Sequence, residues 1–250
     1  MPVQSTDQPG PDQPILQNQL VFEGQNSPPK ITLAKPWLEL GAVLAVGVIP
    51  NLSAALLAEP FSPNTLPPFW RGCLISIVAS MCTIYVVLYL ISRSGESWER
   101  FGLSTPRKLD VVIGLVMLLV GVELWQIYPV FRSLDEGPSK LQWFTYARRV
   151  DLPLAGLTFL FAAFSEELVT RAYLITRLEE LLKSRGLALL IAALLFASYH
   201  IYQGYNAVGS TFAFGLLYGG AFLFVRRVWP LALGHALLNL LVTWQNLLVS

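Results

Sequence analysis

The feature that most constrains this chain is a succession of apolar segments, each near the roughly 20 residues an α-helix needs to cross a bilayer. There are seven, at about residues 37–58, 72–91, 111–131, 152–170, 187–203, 207–225 and 231–249. Inside hydrocarbon the backbone has no water to bond, so such segments fold as helices that satisfy their own polar groups. No stretch between them is long enough for a soluble domain. The expected fold is therefore all-α: a polytopic transmembrane helical bundle of about seven spans over residues 31–250. Residues 1–30 are rich in Pro, Gln, Asn, Asp and Ser without apolar period and are expected to form a disordered cytoplasmic tail. That polar lead-in is too long for the n-region of an ordinary signal peptide, so the first segment is read as a retained span.

Composition agrees. Charged residues make up 13% of the chain against 54% hydrophobic, about half the ~25% charged share of soluble domains. A net charge of +1 offers no basic face for nucleic acid, so no nucleic-acid partner is expected. The lysines and arginines are unevenly placed. Twelve lie in the tail or in loops near 92–110, 171–186 and 226–230, and five lie on the opposite side. The positive-inside rule then puts the N-terminus in the cytoplasm and the C-terminus outside. The cell membrane is the expected location, or an internal membrane such as the endoplasmic reticulum in a eukaryote. Cys73 and Cys82 are nine residues apart in one segment. On a helix that is about 13 Å, beyond disulfide reach, so both read as inert.

Against this background the ionisable residues inside the spans stand out. Each costs about 2.5–3.5 kcal/mol on insertion scales and points by default to function. The fourth segment ends in FSEELVTRAY, with Glu166, Glu167 and Arg171; the fifth contains FASYH, ending in His200; the seventh opens with GHALLN, carrying His235 and Asn239. The chain has only two histidines, and both fall here. Glu167 and Arg171, four apart, share a helix face in the favourable order for an ion pair and are expected to brace the helix end. Glu166 is rotated by about 100° and left free of that partner. His235 and Asn239, also four apart, face one point. A carboxylate, two imidazoles and a carboxamide on one cavity suit hydrolysis: the first groups deprotonate water, the others donate to an oxyanion. Taken singly, each piece has a plainer reading as an interfacial staple or interhelical glue. Taken together they favour catalysis.

These same residues carry a resemblance. EELVTR resembles the EExxxR motif of the CAAX protease and bacteriocin-processing (CPBP, or abortive-infection) family of intramembrane endopeptidases, which includes type II CAAX prenyl endopeptidases. Phe196–His200 resembles its FxxxH motif, His235–Asn239 its HxxxN motif, and FAFGLLYG at 212–219 its Gly-bearing helix. The similarity spans about residues 150–245, the expected protease core. It implies that Glu166 and His200 activate water while His235 and Asn239 hold the oxyanion, with Glu167 and Arg171 as structural support. The chain departs from the family pattern at Thr170, where an aromatic residue is frequent, and at Ala172, where glycine is frequent. Both departures bear on local packing and substrate fit.

Two histidines and a glutamate are also a possible zinc set. There is no HExxH, Asn is an uncommon ligand, and the resemblance implies hydrolysis without a required metal. No cofactor is expected, with zinc as the alternative. The implied partners are the lipid bilayer and a membrane-associated peptide or protein substrate, and the oligomeric state is left open. Elsewhere, Glu123 is expected to bond a neighbouring helix, Glu39 to snorkel, and residues 174–186 to form a short amphipathic connector at the cytoplasmic surface. Two other function classes compete with the protease: a non-catalytic immunity or scaffold protein of the same fold, and a small-solute transporter. The transporter predicts internal repeats, and none is evident.

Overall fold

The structure, a computed structural model, describes residues 36–57, 69–132, 151–201 and 205–249. The expected tail at 1–30 lies outside the described residues. Among the described residues the secondary structure is helical and includes no strand. In chain order come α1 (Pro36–Gly47), α2 (Ile49–Leu57), α3 (Phe69–Ser94), a 3-10 turn (Trp98–Phe101) and α4 (Lys108–Arg132). Then follow α5 (Leu152–Glu167), a π-helical stretch (Leu168–Ile175), α6 (Thr176–Leu182), α7 (Arg185–Ser198), α8 (Tyr205–Val225) and α9 (Trp229–Val249). Each of the seven expected segments overlaps a described helix, the fifth only as far as Ser198. Among the described residues, three helical runs are long and apolar enough to cross a membrane by length and composition: Phe69–Ser94, Leu152–Leu182 and Val208–Val225. Pro36–Gly47 and Arg185–Ser198 are shorter apolar helices.

The first expected span is broken for a covalent reason. Pro50 has no N–H to give the carbonyl of Val46, and its ring crowds that carbonyl. The helix stops at Gly47, and the released Val46 carbonyl accepts from Thr83 Oγ1 of α3 at 3.3 Å.

The fourth expected span differs in the other direction. Instead of ending near residue 170, the helix runs on through the π stretch to Leu182. Leu174, Ile175, Thr176, Arg177 and Leu178 are all buried and residues 179–182 half-buried, so the first part of the expected surface connector at 174–186 is core. What makes this possible is the housing of one charge. Arg177 donates to Glu96 at 2.7 Å and to Glu180 at 3.0 Å, and lies 3.6 Å from Glu39. It also sits over the Phe101 ring at 5.1 Å. Glu39 is consequently buried, accepting from Tyr173 Oη at 3.1 Å, where snorkelling was expected. Glu123, by contrast, is exposed on α4 and has no polar partner among the described residues, so the expected interhelical bond is not made there.

Around this run α9 packs against both α4 and α5, α8 against α4 and α7, and α3 against α5. The core joins Leu168, Tyr173, Leu174 and Ile175 to Phe196, Tyr218, Phe222 and Leu231. Side chains such as Leu74, Ile75, Val78 and Met81 on α3 and Leu119 on α4 point outward. In water so continuous an apolar face would be a liability; in a bilayer it is the lipid face.

The loops expected on one side of the membrane do meet at one end of the bundle. Arg227, in the α8–α9 turn, forks onto Asp110 at 2.5 and 2.6 Å and also bonds the Ser104 hydroxyl. Trp229 Nε1 donates to the Ser104 carbonyl at 2.6 Å, and Val228 N to the Gly102 carbonyl at 3.0 Å. Arg226 reaches Glu179 at 2.5 Å. These contacts fix where α9 starts, six residues before His235.

Candidate active site

Helix α5 presents two carboxylates in adjacent positions, and the structure gives them different surroundings. Glu167 is fully buried. Its Oε2 lies 3.2 Å from Arg171 Nε and its Oε1 is 2.9 Å from His235 Nδ1. The first contact is the expected i,i+4 pair. The second crosses from α5 to α9 and was not visible in any spacing. Glu166 lies on the neighbouring face with 28% of its side chain exposed. Its Oε2 atom is nonetheless buried and makes no hydrogen bond among the described residues.

Arg171 is the largest fully buried side chain. Its guanidinium carbon is 4.3 Å from the Phe196 ring centre, with Phe214 at 5.7 Å and Tyr218 at 5.9 Å. An aromatic enclosure of this kind supports a desolvated cation through the ring quadrupoles. The three rings come from FASYH and FAFGLLYG. Their helical spacing was legible, but their role as the wall around Arg171 was not. Thr170 adds a hydroxyl between these parts: Oγ1 donates to the Glu166 carbonyl at 2.5 Å and accepts from Arg171 Nη1 at 2.6 Å. In the sequence this position is a departure that bears on local packing and substrate fit, and no spacing there encodes the pair of hydroxyl bonds.

The two imidazoles approach from α7 and α9. His200 follows the last turn of α7, and its Nδ1 is 2.7 Å from the Phe196 carbonyl. A carbonyl only accepts, so the proton sits on Nδ1. The Glu167 carboxylate imposes the same tautomer on His235, whose Nδ1–H it accepts. In neutral form both rings therefore present Nε2 as an acceptor. The Nε2 atoms of His200 and His235 lie 4.0 and 3.9 Å from Glu166 Oε2. These distances exceed hydrogen-bond range but are of the length that one bridging oxygen spans.

Glu166, Glu167, Arg171, His200 and His235 are thus brought together. Asn239 lies one turn beyond His235 on α9, partly buried, its backbone carbonyl accepting from Thr243 Oγ1 at 2.9 Å. Among the described residues its carboxamide makes no hydrogen bond. Three acceptors around one point also raise zinc. Ligands about 2.0–2.1 Å from a tetrahedral zinc stand about 3.4 Å apart, closer than the 3.9 and 4.0 Å found here. Among the described residues no group of three or more His, Cys, Asp or Glu has metal-holding geometry. The residues as placed do not fit zinc without contraction.

Comparison with known proteins gives one match. Residues 148–241 fit the family model described as type II CAAX prenyl endopeptidase Rce1-like. No curated protein and no solved structure matches the chain. The matched stretch contains all six residues singled out above, and it is this Rce1-like stretch, residues 148–241, that is similar to the CPBP/CAAX protease family.

Proposed function

We propose that the chain is an intramembrane endopeptidase that hydrolyses a peptide bond of a membrane-associated protein or peptide, using water activated by Glu166 and His200. The observation that carries this reading is the convergence of Glu166 Oε2 with two Nε2 atoms at 4.0 and 3.9 Å, each ring held by its other nitrogen. A water at that point donates its hydrogens to Glu166 Oε2 and His200 Nε2 and turns a lone pair toward substrate. As it attacks the carbonyl carbon, its proton passes to Glu166 or His200 and the carbonyl π pair moves onto oxygen. That oxyanion needs donors. His235 supplies one from Nε2 when its ring carries a second proton, a form that the Glu167 carboxylate at Nδ1–H stabilises. The Asn239 carboxamide is the second donor. Collapse of the intermediate expels the amine, which takes back the proton.

Two experiments test this. The first compares membrane proteomes of cells carrying the wild type and Glu166→Ala, seeking peptides cut only by the former. The second uses purified protein and an internally quenched, farnesylated peptide ending in a CAAX sequence. Turnover should vanish in Glu166→Gln and fall steeply in His235→Ala and Asn239→Ala. Equal cleavage by Glu166→Gln removes Glu166 from the mechanism. Loss of all cleavage of this peptide by wild type, with membrane peptides still cut in cells, keeps the endopeptidase and rejects the prenylated substrate.

A further inference from the structure

We infer that the Thr170 hydroxyl is a positioning group for the site, setting the orientation of Arg171 and through it the Glu167–His235 pair. The inference rests on the endopeptidase reading and adds a residue to it, at a position where the resembling family often has an aromatic side chain. Thr170 is buried in the π-helical stretch. Its hydroxyl has one hydrogen and uses it on the Glu166 main-chain carbonyl, at 2.5 Å. The oxygen is left to accept, and one of its two lone pairs takes Arg171 Nη1–H at 2.6 Å. This back-bonding to the i−4 carbonyl is a known way for threonine to bend a helix, and π stretches concentrate at functional sites.

The consequence follows from counting the guanidinium's partners. Nε lies against Glu167, Nη1 is on Thr170, and Nη2 is buried without an acceptor among the described residues. Removing the hydroxyl leaves two of the three nitrogens unsatisfied in a side chain that water cannot reach. The guanidinium must then turn, and it cannot do so alone. Glu167 is its ion-pair partner and the acceptor for His235, while the Phe196 ring beneath it belongs to the residue whose carbonyl holds His200. Thr170 touches no substrate in this scheme; it acts on the reacting groups through Arg171.

Thr170→Val keeps the shape and removes the hydroxyl, and Thr170→Ser keeps the hydroxyl. With the quenched farnesylated peptide, Thr170→Val should lower kcat about 10–100-fold with KM little changed, because the loss is of alignment rather than of binding. Thr170→Ser should restore kcat. The chain has only two histidines, so ring-¹⁵N-labelled protein in detergent gives two imidazole signal sets, assigned with His200→Gln. The Nδ1 signal of His235 should move in Thr170→Val and stay in place in Thr170→Ser. A wild-type kcat and an unmoved His235 signal in the valine variant overturn the inference, as does a serine variant as impaired as the valine one. If the valine variant does not accumulate, the serine variant decides: wild-type kcat and signal support the hydroxyl, and a change in either overturns it. Activity in Glu166→Gln would instead defeat the endopeptidase mechanism, and the nitrogen signals would still report on Thr170.

Discussion

Neutralising Glu167 while keeping its shape tests the most heavily buried interaction in the site. Glu167→Gln leaves Arg171 as a fully buried guanidinium whose counter-ion, 3.2 Å away in the wild type, is gone. Breaking a buried ion pair from one side costs about 3–5 kcal/mol, because the remaining charge is neither solvated nor paired. For a chain of this length, 1 kcal/mol moves Tm by about 2–4 °C, so the expected fall is about 6–20 °C. Arg171→Met, removing the other partner, should fall by a similar amount. It also loses the cation over Phe196, for which about 1–2 kcal/mol is a fair addition.

The double variant, Glu167→Gln with Arg171→Met, separates the two possible causes. If the single losses come from an orphaned charge, removing both partners leaves no ion behind, and most of the stability returns. The expected coupling is therefore about 3 kcal/mol, well beyond the ~0.3–0.5 kcal/mol within which independent sites add. The assay is thermal unfolding of purified protein in one detergent, followed by tryptophan fluorescence and by peptide turnover. Stability should return in the double variant and turnover should not, since His235 has then lost its carboxylate. Additive losses would refute the reasoning and make Glu167 and Arg171 two separate packing groups.

Three further outcomes are expected. Gly234→Ala puts a Cβ 2.7 Å from the Gly114 carbonyl oxygen, 2.9 Å from Met117 Cβ and 3.1 Å from Leu118 N. Helix α4 must back away from α9 beside His235, costing about 1–3 kcal/mol with loss of turnover. Gly156→Ala, whose Cβ meets nothing nearer than Leu240 at 4.0 Å, is the matched control and should unfold as wild type does. Acid should loosen the end of the bundle. Hydrogen bonds from Arg227 hold the Asp110 carboxyl below the ordinary aspartate range, at the edge of α4 outside its span. A depressed folded value means this stability is complete above the unfolded pKa of about 3.9 and is lost as pH falls below it. Tm of wild type should drop through that window, and Asp110→Asn should start lower and respond less; equal acid responses would count against the clamp. Finally, prolonged chelation should leave peptide turnover unchanged, and loss of turnover restored by stoichiometric zinc would reverse the reading of the acceptor cluster.

What the sequence could convey was set by distance along the chain. The Glu167–Arg171 pair and the rotation of Glu166 away from it are local, and helix periodicity supplies both. The bond from Glu167 to His235 joins residues 68 apart on helices whose relative rotation no spacing encodes. Pro50 was in plain view inside the first apolar segment, yet hydropathy alone does not register that a missing N–H breaks the helix. Glu39 and Arg177 were misplaced for a shared reason: each alone belongs at an interface, and only their mutual contact allows both to be buried.

The depth of the site turns on that same contact. Ending the fourth span near residue 170 leaves Glu166 close to the interface and His200 far below it, and the two cannot meet. Helix continuation to Leu182 moves the turn between the arms of this helical hairpin to Lys183, whose positive φ of 53° stops α6, with Ser184 capping α7. Glu166 is then 17 residues before Lys183 and His200 is 17 after it. Equal counts from the turn bring those residues level on the two antiparallel arms, where their side chains stand 4.0 Å apart. The charges of Arg177 and its partners, which as a sequence pattern mark the end of a span, are what let the helix go on. An ion-pair network remote from Glu166 and His200 thus lets the helix reach the turn that brings the two level.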